Sequence, residues 1–85
     1  MSKVEIYTKG HCPYCHRAKA LLTQKGIEFE EFAIDKHPEL RPKMIERANG
    51  GSTVPQIFIN DQHIGGCDDM FILESQNKLD SLLTK

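Results

Sequence analysis

The six residues from His11 to His16, HCPYCH, place two thiols and two imidazoles within one short stretch. Three kinds of chemistry use such residues at such a spacing. They are attachment of a c-type haem through Cys-x-x-Cys-His, zinc coordination by cysteine and histidine, and thiol–disulfide exchange by a Cys-x-x-Cys pair. The rest of the sequence must decide between them.

Haem attachment matches the motif literally, because Cys12, Cys15 and His16 satisfy it. Attachment is typical of exported proteins, however, and the amino-terminal sequence MSKVEIYTKG has no apolar stretch of the kind that a signal peptide needs. No second axial ligand is obvious, although Met44 or Met70 could be proposed. Short motifs also match by accident, so the haem hypothesis is disfavoured.

A zinc site needs four ligands, which usually come from two separated pairs. The sequence has one Cys-x-x-Cys, and His63 and Cys67 are the residues that could complete a site. Pro13 favours a helix that starts at the first cysteine, whereas a zinc knuckle usually needs a tight turn there. The zinc hypothesis is therefore also disfavoured.

A helix that starts at Pro13 favours the redox hypothesis. Residues three apart on a helix have β-carbons about 5–6 Å apart, close to the span of a disulfide. Cys12 would lie at the helix N-terminus, where free amides and the helix dipole stabilise a thiolate, and Lys9, His11 and His16 add positive potential. Cys15 would lie one turn further in as a less exposed thiol. We expect Cys12 to be the nucleophile and Cys15 the resolving thiol; two inert structural cysteines are the remaining alternative.

Composition limits the classes of protein to consider. The chain has 85 residues, enough for a single domain over residues 1–85, and a hydrophobic content of 39% predicts a folded globular protein. A net charge of -1 argues against a nucleic-acid-binding surface, and the apolar runs are too short to span a membrane. Three cysteines without a signal peptide indicate a cytoplasmic protein whose cysteines are catalytic or metal-binding, and Met1 argues against a removed leader.

The elements that must position the motif begin with a βαβ unit. VEIYT (residues 4–8) predicts a strand, residues 13–25 predict a helix that stops at Lys25 and Gly26, and residues 28–34 predict a second strand, parallel to the first. A second helix is expected from about Leu40, because Pro42 is tolerated only in a first turn.

The second half of the chain predicts a hairpin and a helix. PQIFIN and HIG form the strands around a turn at residues 60–62, Asp68 and Asp69 begin a third helix, and LDSLLTK predicts a short terminal helix. The order therefore predicts an α/β fold with a small four-stranded mixed sheet and helices on both faces. A Cys-x-x-Cys beside a βαβ unit is typical of a thioredoxin-like redox motif.

Three motifs at this spacing resemble one family. CPYC (residues 12–15), TVPQIFI (residues 53–59) and GGCDD (residues 65–69) closely resemble the glutaredoxins, in particular the short bacterial dithiol type, and the order of elements agrees over the whole chain. The resemblance implies a thioredoxin-like fold and a cis peptide bond before Pro55.

The resemblance also implies a glutathione site. In the family, the backbone at the position of Val54 pairs with the cysteinyl part of glutathione. The residues matching Gly66, Cys67 and Asp68 hold its γ-glutamyl end, in agreement with the affinity of helix amides for a carboxylate and of Asp68 for an ammonium group. Further residues at matching positions line the site: Lys9, Tyr14, Thr53 and Pro55.

Three other features remain open from the sequence. Arg41 either reaches the glycyl carboxylate of glutathione or lies on a solvated helix face, and Pro42 leaves its placement uncertain. His11 and His16 either make the thiolate fraction of Cys12 depend on pH or are exposed polar residues. For Cys67, we expect the backbone rather than the sulfur to matter.

The activity that the resemblance implies is that of a glutathione-dependent thiol–disulfide oxidoreductase. Glutathione is its co-substrate, no metal or haem is needed, and we expect a monomer that acts on disulfide-bonded or glutathionylated proteins, with ribonucleotide reductase as one candidate client. The expected reduction potential is about -200 to -230 mV. Two alternatives are a thioredoxin-like donor reduced by a flavoprotein reductase, and an iron–sulfur or metal carrier that uses Cys12 as a ligand.

Overall fold

The structure is a computed structural model that describes residues 2–84. Within that range the strands are β1 (Val4–Thr8), β2 (Glu30–Ala33), β3 (Gln56–Ile59) and β4 (Gln62–Gly65), and the helices are α1 (Pro13–Gln24), α2 (Arg41–Arg47), α3 (Cys67–Ser75) and α4 (Leu79–Leu83). The strands form one mixed sheet in the order β2-β1-β3-β4. No helix among residues 2–84 is both long and apolar enough to cross a membrane.

The pairing of the strands confirms the predicted topology. β1 runs parallel to β2 and antiparallel to β3, and β3 pairs antiparallel with β4. The β3–β4 turn has two residues, Asn60 and Asp61, whose φ angles of 51° and 66° both lie in the left-handed region. Two-residue hairpin turns favour this conformation, and Asn and Asp tolerate it. β4 therefore begins at Gln62, one residue earlier than predicted.

Helices cover both faces of the sheet, as predicted. Side chains from α1, α3 and α4 pack on one face with apolar residues of β1 and β3, and the buried members of this cluster are Val4, Ile6, Ala18, Leu21, Leu22, Ile57, Ile59, Cys67, Met70, Leu79 and Leu83. The other face is covered by α2, and its buried cluster consists of Tyr7, Ile34, Met44, Ala48 and Phe58. All five residues of β1 are buried, so the strand that leads into the HCPYCH segment is held from both sides.

The helix boundaries follow the expected local chemistry. Gly26 has a φ of 71° and ends α1, as predicted, and the amides of Gly26 and Ile27 donate to Thr23 and Leu22. α2 begins at Arg41 after a 3-10 turn at Pro38–Leu40, so Pro42 lies in its first turn, where proline needs no amide donor.

The bounds of β2 and α3 also differ from the prediction. β2 is shorter than residues 28–34, because its ladder with β1 pairs Glu30 to Ala33 only. α3 begins at Cys67 rather than at the acidic pair, because Gly66 is its extended N-cap residue.

Candidate active site

Cys12 is the N-cap residue of α1 and is partly exposed. Its backbone is extended, Pro13 is the first helical residue, and the Cys12 Sγ accepts a hydrogen bond from the Cys15 N–H at 3.2 Å. A donor of this kind stabilises negative charge on sulfur, as does the positive end of the helix dipole. The sequence prediction for the position of Cys12 is confirmed.

Cys15 lies behind Cys12 and is completely buried. Burial, and after it the contact with Cys12, raises the pKa of the Cys15 thiol to about 12. A thiol with such a pKa stays protonated at neutral pH and is a poor nucleophile. Cys12 and Cys15 are thus close together, but Cys12 alone of the pair is partly open to solvent.

The peptide between Val54 and Pro55 forms the wall opposite Cys12. It is cis, as the resemblance implied, and the Val54 carbonyl oxygen lies 3.7 Å from the Cys12 Sγ. Pro55 is buried and leads directly into the buried strand β3. The Val54 backbone is therefore fixed beside the sulfur by the edge of the core.

The N-terminus of α3 forms the far side of the site. Gly66 donates its backbone N–H to Asp69 Oδ2 at 2.9 Å. Gly65 has a φ of 119°, and a Cβ there would collide with the Asp69 carboxylate. Cys67 is 5% exposed, and burial raises the pKa of its thiol, so its sulfur is a protonated core group. What this end presents to solvent is backbone and the exposed Asp68 side chain.

A cleft of about 460 Å³ lies between Tyr14, the segment from Thr53 to Pro55 and the start of α3; Cys12 and Cys15 are not among the residues that line it. Seven of the predicted site residues line it: Tyr14, Thr53, Val54, Pro55, Gly66, Cys67 and Asp68. Lys9 does not line it: its side chain is exposed, and its backbone contacts the Cys15 thiol instead. Arg41 is exposed at the start of α2 and is also outside the cleft lining.

Four lining residues were not predicted to belong to the glutathione site: Gln56, His63, Gly65 and Asp69. Asp69 had a local signal, since an acidic residue three positions after a helix N-cap often bonds back to the cap amide. Gln56 and His63 had none, because their contact joins two strands.

The loop before Cys12 is held at Gly10 by two side chains. Asp35 Oδ2 accepts the Gly10 N–H at 3.0 Å, and this bond holds the pKa of Asp35 below its ordinary value. On the other side, His16 Nε2 lies 3.2 Å from the Gly10 carbonyl oxygen. His16 therefore faces the loop backbone, while the His11 side chain is exposed.

The arrangement of possible metal ligands differs from that of a metal site. Among residues 2–84, no group of three or more His, Cys, Asp or Glu side chains is placed to hold a metal ion. His63 Nε2 lies 2.6 Å from Gln56 Oε1, and Cys67 lies in the core, so the pair considered for zinc forms no metal-binding group with Cys12 and Cys15 among the described residues.

Comparisons with known proteins agree with this geometry. The glutaredoxin family model matches residues 4–64. Glutaredoxin 3 of Escherichia coli K12 is 59% identical over 83 residues, which cover 98% of this chain and 99% of that protein.

Two solved structures show the same fold. A buckwheat glutaredoxin–glutathione complex has a TM-score of 0.89 and 30% identity over 98% of this chain and 77% of its own. A structure described as "Metal Binding of Glutaredoxins" has a TM-score of 0.75 and 55% identity over 100% of this chain and 91% of its own.

Proposed function

Because the chain belongs to the glutaredoxin family and is a glutathione-dependent thiol–disulfide oxidoreductase, we propose that Cys12 is its nucleophile and Cys15 its resolving cysteine. The observation that supports this assignment most is the difference between the two sulfurs. Cys12 is partly exposed at a helix N-terminus and accepts an amide hydrogen bond, whereas Cys15 is buried with a raised pKa.

In the one-cysteine route, the Cys12 thiolate attacks the glutathionyl sulfur of a protein–glutathione mixed disulfide. The Cys12–glutathione disulfide forms, the original disulfide breaks, and the protein thiolate leaves and takes up a proton. The thiolate of a second glutathione then attacks the glutathione sulfur bound to Cys12. This step releases oxidised glutathione and returns Cys12 as a thiolate, so Cys12 acts first as attacking and then as leaving group.

In the two-cysteine route, the Cys12 thiolate attacks one sulfur of a protein disulfide and forms a mixed disulfide with it. Cys15 loses its proton and attacks the Cys12 sulfur, which releases the reduced protein and leaves a Cys12–Cys15 disulfide. Two glutathione molecules then reduce this disulfide and leave as oxidised glutathione. Cys15 is held next to Cys12, so little movement is needed for the attack.

We further propose that glutathione binds in the cleft beside Cys12. Its cysteinyl backbone would pair with Val54, and its γ-glutamyl carboxylate would meet the first amides of α3 at Gly66 and Cys67, with Asp68 paired to its ammonium group. Thr53, Pro55 and Tyr14 would complete the walls. The support is that these residues line one cleft, and that the carbonyl oxygen of Val54, one of them, lies 3.7 Å from the Cys12 Sγ. The exposed Lys9 would add positive potential at the rim rather than a wall.

The chemistry needs neither a metal ion nor haem, because a thiolate is itself the nucleophile and the leaving group. We propose that the protein acts as a monomer in the cytoplasm on disulfide-bonded or glutathionylated proteins. Ribonucleotide reductase is one candidate client. The support for the compartment is the use of cysteine: an odd number of thiols, two of them in a redox motif.

The assignment is tested with the Cys15→Ser variant and oxidised glutathione. We expect intact mass and peptide mapping to show one glutathione adduct on Cys12, which reduced glutathione removes, and turnover on small mixed disulfides to persist. Reduction of protein disulfides should be lost. No adduct, or an adduct on Cys67 instead, would show that the cleft is misassigned and would favour a thioredoxin-like donor or a metal carrier.

A further inference from the structure

Gln56 and His63 form a polar pair in the wall of the cleft. Gln56 follows Pro55 and is 5% exposed, and His63 is half-buried on the neighbouring strand β4. His63 Nε2 lies 2.6 Å from Gln56 Oε1. The imidazole ring also lies 5.1 Å from the Phe58 ring, which fixes its position on this face of the sheet. A buried amide needs such partners, because leaving it unpaired is costly.

The same Gln56 amide reaches the segment that precedes Pro55. Its Nε2 donates to Thr53 Oγ1 at 3.4 Å. A Cβ added at Gly51 would lie 3.1 Å from Gln56 Nε2, so the backbone of the preceding loop also packs against this amide. Because Nε2 is the donor to Thr53, Oε1 is the acceptor that faces His63, and His63 Nε2 carries the hydrogen. These two hydrogen bonds thus link β4, β3 and the Thr53 segment.

We propose that His63, acting through Gln56, is a positioning residue for the Thr53–Pro55 segment and thereby sets the affinity for glutathione. The inference rests on the proposed function, because the ligand pairs there with the Val54 backbone. A strand-like pairing needs a peptide held in one orientation before the ligand arrives, and pre-organisation of this kind raises affinity. The Cys12 sulfur lies 3.7 Å from the Val54 carbonyl oxygen but takes its shorter hydrogen bond from the Cys15 amide of its own helix, so we expect the exchange step to depend little on His63.

The test uses the Cys15→Ser protein, which isolates the one-cysteine route. In this background, His63→Phe keeps a ring over Phe58 but removes the hydrogen-bond donor, and Gln56→Met keeps the side-chain length but removes both bonds. Gln62→Ala, on an exposed residue next to His63, is the matched control.

We expect His63→Phe and Gln56→Met each to raise KM for a glutathionylated peptide substrate about three- to tenfold, the size expected when a hydrogen bond in the cleft wall is lost, with kcat within about twofold of the parent. The double variant should have a KM no higher than that of the more severe single variant, because both changes disrupt the same linked pair of hydrogen bonds. Gln62→Ala should match the parent.

Nuclear magnetic resonance gives a second readout that is independent of turnover. The side-chain amide protons of Gln56 should exchange slowly in the parent and faster in His63→Phe. The backbone amides of Thr53 and Val54 should shift in the same variant.

Four results would overturn the proposal: an unchanged KM in folded His63→Phe and Gln56→Met proteins, additive effects in the double variant, an equal KM increase for a small disulfide that carries no glutathione, or unshifted Thr53 and Val54 amides. If His63→Phe does not fold, the KM of the Gln56→Met variant alone tests the proposal. A parent protein that shows no saturation with the glutathionylated peptide would instead refute the proposed glutathione site itself.

Discussion

The backbone N–H of Cys15 donates a hydrogen bond to the Cys12 sulfur across 3.2 Å, while the Cys15 sulfur itself is completely buried. The Cys15 amide therefore supplies a donor that stabilises a thiolate on Cys12, while the Cys15 thiol is shielded from solvent. The same helical turn makes the two thiols chemically unequal. The attacking step and the resolving step should consequently respond differently to pH.

The resolving step should accelerate with pH. Burial raises the pKa of Cys15 to about 12, so its thiolate is scarce at pH 7 and grows about tenfold per pH unit between pH 7 and 9. We expect wild-type protein with one glutathione on Cys12 to release it, without added thiol, at a rate that rises by about this factor. Intact mass over time measures the release. The Cys15→Ser adduct should persist throughout, and a flat wild-type rate would contradict a buried Cys15 as the resolving thiol.

Two glycine substitutions should differ sharply in stability. Gly26 and Gly65 both have positive φ, but a Cβ at Gly26 meets nothing within 4 Å, whereas one at Gly65 collides with the Asp69 carboxylate. Gly26→Ala should cost about 1 kcal/mol of unfolding free energy through backbone strain alone. Gly65→Ala should cost about 3 kcal/mol or more, because the collision adds to that strain. Urea denaturation measures both; equal costs would refute the close packing at the start of α3.

Local sequence patterns correctly predicted the features of the fold and the site that depend on neighbouring residues. Pro13 after Cys12 indicated a helix with the cysteine at its cap, and this is where Cys12 lies. Pro42 likewise indicated a helix that starts near Leu40, because a proline amide cannot donate within a helix.

Contacts between distant segments were not predictable in this way. The alternation in β1 does not reveal that Glu5 is 9% exposed, since that burial depends on Arg47, which lies 42 positions away and binds the Glu5 carboxylate at 2.8 Å. The Gln56–His63 contact was missed for the same reason. Lys9, which the resemblance assigns to the site, is near Cys12 along the chain, but it is not among the residues that line the cleft.

The Glu31 carboxylate, which accepts hydrogen bonds from Thr8 and Lys19, should make the unfolding free energy depend on pH. Partial burial pushes the pKa of Glu31 upward, but hydrogen bonds from Thr8 at 2.7 Å and Lys19 at 2.9 Å outweigh it and hold the pKa below its ordinary value of 4.5. The charged form is thus the favoured one in the folded protein. Its stabilisation is fully present above pH 4.5 and is lost as the pH falls through the lower folded pKa.

Glu31→Gln should accordingly lower the unfolding free energy at pH 7 by about 1 kcal/mol, a modest value because the carboxylate is partly exposed. The difference from wild type should vanish near pH 2 in urea titrations. Glu30→Gln, next to it on β2 and also exposed, is the control and should change little. A Glu31→Gln cost that stays constant at acid pH would show that shape rather than charge matters there.

Asp68→Asn should selectively weaken the binding of glutathione in the cleft. Asp68 is exposed in the cleft at the start of α3, where its carboxylate can pair with the ligand ammonium. Loss of one charge-assisted contact of this kind should raise KM for a glutathionylated peptide substrate about five- to tenfold, or about 1 to 1.4 kcal/mol. For bis(2-hydroxyethyl) disulfide as the substrate, which has no ammonium group, KM should not change. Asp61→Asn removes the same charge at the hairpin turn, where Asn also tolerates positive φ, and should leave both KM values unaltered. If the two variants behaved alike, net charge rather than a specific contact at Asp68 would account for the effect.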